Sequence, residues 1–242
     1  MRHGLRTSDE IHLASRLRTA GTPRAAVVVV HGFSASGDDP QVSRLADVLH
    51  ESELDVITYD ARGHGASGGE CTLGDLERHD VAAAVSLARR RTERVVLVGA
   101  SMGAIAVLRH AAADPHVGGV VAVSCPARWK LPKNYRSVLA AGLTRTPPGR
   151  AIASRMLRVR IAARWTDAEP PLALVPRVGA PLALVHGAND RFIPASDVHE
   201  LHAAAVAPCR LAVVPGMGHA FDDVGLPEVA ASVEWALDAP RS

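Results

Sequence analysis

The residues able to do chemistry gather around one serine. "GASMG" sets Ser101 between Gly99 and Gly103, where the aliphatic run "RVVLVG" stops. The pattern G-x-S-x-G at a strand-to-helix junction forces a sharp turn that lifts the hydroxyl clear, and glycine on each side removes the side chain that would keep strand and helix apart. The helix pattern "MGAIAVLRHAAA" follows at once, so its free N–H groups and dipole face any negative charge that develops there. The same residues also read as a glycine-rich turn with Ser101 as an N-cap. An attacking serine needs a base, and the base needs an orienting acid. "GMGHAF" supplies His219 and "HGANDRFIP" supplies Asp190. Taken singly, each has an ordinary reading: His219 is one of 12 histidines, and Asn-Asp after Gly is common turn chemistry. The order Ser, Asp, His, each ending a different aliphatic run, makes them a set. "HGF" follows the first strong run and brings the Phe33 N–H, which with that of Met102 would form a two-donor oxyanion hole. His31 then fixes that loop and is not the base.

The elements that must position these residues are legible as short aliphatic runs: "AAVVVV" (25–30), "LDVITY" (54–59), "RVVLVG" (94–99), "GGVVAV" (118–123), "PLALVH" (181–186) and "RLAVVP" (210–215). They are nearly all apolar, as strands buried on both faces are. Amphipathic stretches lie between most of them, including "PQVSRLADVLHES" and "TLGDLERHDVAAAVSLARRR", the latter with Leu73, Leu76, Asp80 and Val81 at helical spacing. Strand and helix in alternation predict an α/β fold, a doubly wound, mostly parallel sheet of about eight strands. Two of the eight are predicted by "HGLRTSDEIHLASRL", strands joined by a Ser-Asp turn that form an antiparallel N-terminal edge. In such a sheet the loops after the strands meet at one edge, so residues distant in sequence converge.

One interval breaks the alternation. Between "GGVVAV" and "PLALVH" the residues from about 126 to 168 exceed a plain crossover, and we read them as a small helical cap on a single domain spanning 1–242. Trp129 and Tyr135, within it, either line the pocket or pack it, and Phe192, beside Asp190, is a third candidate substrate contact. From Arg128 to Arg164 there are ten basic residues and no Asp or Glu, which leaves 17 basic against 25 acidic elsewhere. This reads either as a solvated Arg-rich surface or as a region that attracts an anionic substrate, an acidic carrier protein or a membrane surface. The net charge of +2 gives no ground for nucleic acid. Three widely spaced cysteines, Cys71, Cys125 and Cys209, fit neither a disulfide framework nor a zinc site. "HELH" (199–202) lacks the H-E-x-x-H spacing, so neither metal nor cofactor is expected. The N-terminus has no apolar leader pattern and the longest aliphatic run is too short to cross a bilayer, which makes a cytoplasmic protein the expectation.

With "HGF" (31–33), "YDARGHGASGG" (59–69), "GASMGA" (99–104), "HGANDRFIP" (186–194) and "GMGHAF" (216–221) in that order, the chain resembles the α/β-hydrolase family, and most of all its small bacterial esterase and lysophospholipase-like members. The resemblance runs from about residue 5 to 237. It implies Ser101 as nucleophile, His219 as general base, Asp190 as orienting acid, and Phe33 and Met102 as oxyanion donors. It also implies a structural loop at "RGHGASGG", with Arg62, His64 and Ser67 in loop architecture. The expected activity is hydrolysis of a small acyl substrate, a carboxylic ester, thioester or lactone. C–C hydrolysis, acyl transfer, perhydrolysis and a non-catalytic binding role on the same scaffold remain alternatives.

Overall fold

Six of the aliphatic runs become strands because their alternate residues feed two separate cores. In the computed structural model, which describes residues 2–128, 146–164, 166 and 168–240, the strands are β1 (Arg2–Arg6), β2 (His12–Arg18), β3 (Ala26–Val30), β4 (Asp55–Tyr59), β5 (Val95–Ala100), β6 (Gly119–Val123), β7 (Leu182–Gly187) and β8 (Cys209–Val214). They form one sheet in the order β1-β2-β4-β3-β5-β6-β7-β8. β2 runs antiparallel to both β1 and β4, and all other pairings are parallel. Along β3, Val28 and Val30 face one core while Val27 and Val29 face the other, and β5 divides Leu97 from Val96 and Val98 in the same way. Side chains on a strand alternate faces, so a sheet covered on both sides needs continuous apolar runs. β8 departs from this rule. Its residues are mostly half-buried, because it is the outer strand and has a neighbour on one side only.

Among the described residues the helices are α1 (Pro40–Glu51), α2 (Glu77–Arg89), α3 (Met102–Ala111), α4 (Pro147–Met156), α5 (Pro171–Leu174), α6 (Ala195–Ala204) and α7 (Leu226–Asp238), with one 3₁₀ turn at Val175–Arg177. α2, α3, α5 and α6 contribute to the first core, and α1 and α7 to the second. α2 begins later than its apolar spacing suggests. Leu73 at φ 56° and Gly74 at φ 100° turn left-handed, and the Glu77 carboxylate takes the Thr72 N–H and hydroxyl and the Gly74 N–H. The helical periodicity therefore starts only at Glu77, and Leu73 belongs to the preceding turn.

The described residues between 126 and 168 are not all helical. After α4 the chain runs extended, bridging Val159 to His64 and Ile161 to Cys71. Cys71 N–H donates to the Arg160 carbonyl at 2.7 Å, and Arg160 N–H to Gly63 at 2.8 Å. Val159 and Ile161 are buried in the first core. Among the described residues no helix is long and apolar enough to cross a membrane.

Candidate active site

Strand β5 ends at Ala100, and the next residue carries the strain of the turn. Ser101 sits at φ 53°, ψ −112°, a region that non-glycine residues seldom occupy and that is held only where surrounding structure enforces it. Here the enforcement is close packing. A Cβ on Gly99 would strike the Gly103 backbone, and one on Gly103 would strike the Val30 carbonyl. The two glycines thus let α3 lie directly against β5 and the end of β3. The Ser101 N–H donates to the Val123 carbonyl at 2.9 Å, which fixes the turn to β6. The residue stays partly open to solvent.

The loop after β3 lies against this turn. A Cβ on Gly32 would stand 3.5 Å from the Ser101 Cβ. His31, fully buried, holds the loop by two bonds: Nδ1 lies 2.8 Å from the Gly32 carbonyl, and Nε2 accepts the Ala61 N–H at 2.9 Å. Burial, with help from the neighbouring His64, pushes the His31 pKa down to about 4. It is therefore a neutral structural imidazole. Phe33 is half-buried, its ring edge-on to His64 at 6.1 Å. Met102 opens α3, where a helix leaves its first N–H groups without intrahelical partners. Its sulfur is 3.5 Å from the Cys71 thiol.

Asp190 follows β7 in a tight turn with no solvent access to its carboxylate. Oδ2 receives His219 Nδ1 at 2.7 Å, and Oδ1 accepts the N–H groups of Phe192 at 2.8 Å and Ile193 at 3.0 Å. Burial works to raise its pKa, but the His219 bond and the two backbone bonds outweigh that and hold it below the usual carboxylate range. His186, buried below, lies 3.2 Å from the Ile193 carbonyl through Nε2 and shapes the same turn. His219 comes from the loop after β8. Asp222 closes that loop on itself by accepting the N–H groups of Gly218 at 2.5 Å and Gly225 at 2.8 Å. Ala220 N–H donates to Ser124 Oγ at 3.2 Å.

The sequence-derived residues thus distribute as follows. Gly32, the residue before Phe33, stands against Ser101, Met102 follows Ser101 at the start of α3, and Asp190 and His219 are directly bonded. The histidine loop is tied to Ser124, next to the residue that holds the Ser101 N–H. Phe192 is 57% exposed, with its ring 5.1 Å from that of His219. Trp129 and Tyr135 lie outside the described residues. The "RGHGASGG" loop is held from within. The Arg62 guanidinium pairs with Asp80 at 2.8 Å and Asp9 at 2.7 Å. His64 Nδ1 is 3.0 Å from the Arg62 carbonyl, and Ser67 Oγ donates to the Asp60 carbonyl at 2.5 Å. Cys125 is fully buried. Ser124 was not among the sequence candidates, although it too stands where a strand ends.

Comparison with known proteins gives a consistent family. Residues 21–170 match the family model described as serine aminopeptidase, S33, and residues 149–239 match the dienelactone hydrolase family. A pimeloyl-[acyl-carrier protein] methyl ester esterase of Xanthomonas campestris pv. campestris is 30% identical over 234 residues, covering 81% of this chain and 88% of that protein. An uncharacterised protein of Mycobacterium tuberculosis is 29% identical over 204 residues, which are 83% of this chain but only 65% of that protein's length. Among solved structures, the Pyrococcus furiosus esterase Pf2001 superposes with a TM-score of 0.76 at 22% identity, covering 98% of this chain and 91% of the other.

Proposed function

The chain belongs to the serine aminopeptidase S33 family of α/β-hydrolases, and from that premise we propose that it hydrolyses carboxylic esters through Ser101, His219 and Asp190. The observation that carries this reading is the 2.7 Å bond from His219 Nδ1 to a solvent-free Asp190 carboxylate, made in a loop anchored beside the strained Ser101 turn. With Nδ1–H given to Asp190, the lone pair of His219 is on Nε2, the nitrogen available to a serine hydroxyl. Ser101 Oγ attacks the acyl carbon as His219 takes its proton, and Asp190 stabilises the resulting imidazolium. The N–H groups of Phe33 and Met102 receive the oxyanion. Collapse expels the alcohol, protonated by His219, and leaves an acyl-serine. The same histidine then activates water to release the acid. Phe192, exposed against the His219 ring, forms one wall for the substrate. The chain's own substrate is an ester with an anionic portion, a reading supported by the acid-free basic stretch at 128–164 and by the relative that acts on a pimeloyl-[acyl-carrier protein] methyl ester.

Ser101→Ala is the direct test. Turnover of p-nitrophenyl acetate falls by at least about 10³-fold, and labelling by a fluorophosphonate probe disappears while the circular dichroism spectrum is kept. Wild-type turnover in the purified variant would refute the assignment.

A further inference from the structure

The end of β6 touches both halves of the proposed machinery. The Val123 carbonyl accepts the Ser101 N–H at 2.9 Å. The very next residue, Ser124, accepts the Ala220 N–H on its Oγ at 3.2 Å, one residue beyond His219. Ser124 is fully buried and leaves the strand at φ 48°. Its own N–H donates to the Val185 carbonyl at 2.9 Å, so its backbone is clamped to β7. Ahead of His219 the histidine loop is tied to the β7 turn, where the Asn189 N–H donates to the Met217 carbonyl at 2.9 Å. Beyond His219, Ala220 stands at φ 64°, and the Asp222 bonds tie the loop to itself. Asp190 orients the imidazole ring, but a ring correctly oriented on a displaced backbone still misses the serine.

We propose that Ser124 is a positioning residue that acts through His219, setting the distance and angle at which the imidazole meets Ser101 Oγ. Two consecutive residues of one rigid strand end thereby fix the serine turn by a carbonyl and the histidine turn by a hydroxyl. The inference rests on the Ser101, His219, Asp190 reading above. Positioning errors of about 1 Å cost about 10²-fold in rate, so one hydrogen bond between loop and strand is enough to matter.

A double-mutant cycle tests it. Steady-state kinetics with p-nitrophenyl acetate are measured for the wild type, Ser124→Ala, His219→Ala and the double variant. Ser124→Ala lowers kcat by about tenfold or more with KM within about twofold, as expected for a misplaced catalytic group. In the His219→Ala background the same change has no further effect. Ser124→Gly relieves the positive φ yet also lacks the acceptor, and so behaves like Ser124→Ala; it carries the cycle alone if the alanine variant does not fold. Equal losses in both backgrounds, a kcat within about twofold of wild type, or full turnover in Ser124→Gly would overturn the proposal. Failure of the parent reading shows separately, as wild-type turnover in Ser101→Ala or His219→Ala whatever Ser124 does.

Discussion

A carboxylate deprived of water is costly unless its lone pairs are engaged, and Asp190 engages both oxygens with three donors. Its pKa lies below the ordinary range, so it is ionised at neutral and mildly acid pH, and loss of activity on the acid side is not its titration. Because the folded pKa is depressed, its contribution to stability is complete above the unfolded value and is lost only as pH falls through the folded one. Asp190→Asn keeps the shape but places a donor opposite Nδ1, which forces the wrong tautomer. We expect kcat to fall by about 10³–10⁴ with KM little changed, read in steady-state assays. A loss of only a few-fold would show that Asp190 is a turn residue. Ser101, Asp190 and His219 were legible because each ends an aliphatic run in a glycine-rich turn. Ser124 was not, because its partner is 96 residues away, and nothing in its spacing marks a single side chain-to-backbone bond across the sheet edge.

At the scale of elements, the parallel strands were readable because burial on both faces leaves no polar interruption. The apolar spacing places the start of α2 too early, because that spacing persists into a left-handed turn that only glycine and the Glu77 carboxylate reveal. The loop after β4 illustrates how an element without regular hydrogen bonding is kept in place. The Arg62 side chain is 3% exposed and holds Asp80, wholly buried on α2, and Asp9 of the β1–β2 turn. Removing the cation leaves a buried carboxylate without its counter-charge, which typically costs about 3–5 kcal/mol. Arg62→Met should lower stability by that order in chemical denaturation while folded enzyme keeps its kcat. A large drop in kcat at unchanged stability would instead put Arg62 in the chemistry.

At the scale of the whole chain, charge is segregated along the sequence. Ten basic residues without an acid occupy 128–164, while the remainder is acidic on balance. Arg128 pairs with Glu200, whereas the Arg160 guanidinium donates to the carbonyls of Ser67 and Gly69 and has no acidic partner among the described residues. If this field draws the substrate in, kcat/KM for an anionic ester falls at least about threefold between low salt and about 0.5 M NaCl, where the screening length shrinks to a few ångströms. A neutral ester of equal size is unaffected. Identical salt curves for the two would leave the arginines as solvated surface. The extended return of the chain after α4, paired to Gly63 and Cys71, escaped a sequence reading that expected helix, because its hydrogen bonds go to a loop and not to the sheet.

The two cores have a consequence for how reactivity arises during folding. Met102 and Ile105, which seat the serine helix, belong to one layer, whereas Met217 and Phe221, on either side of His219, belong to the other. The serine and histidine of the proposed machinery are therefore delivered from opposite sides of the sheet. On the proposed assignment, a chain with a single layer consolidated would hold an inert alcohol, and its hydroxyl would become reactive only when both layers have closed. Hydrolytic turnover would then be a coincidence detector for the completed sandwich, and a nascent or half-melted chain would present no live acylating centre to its surroundings.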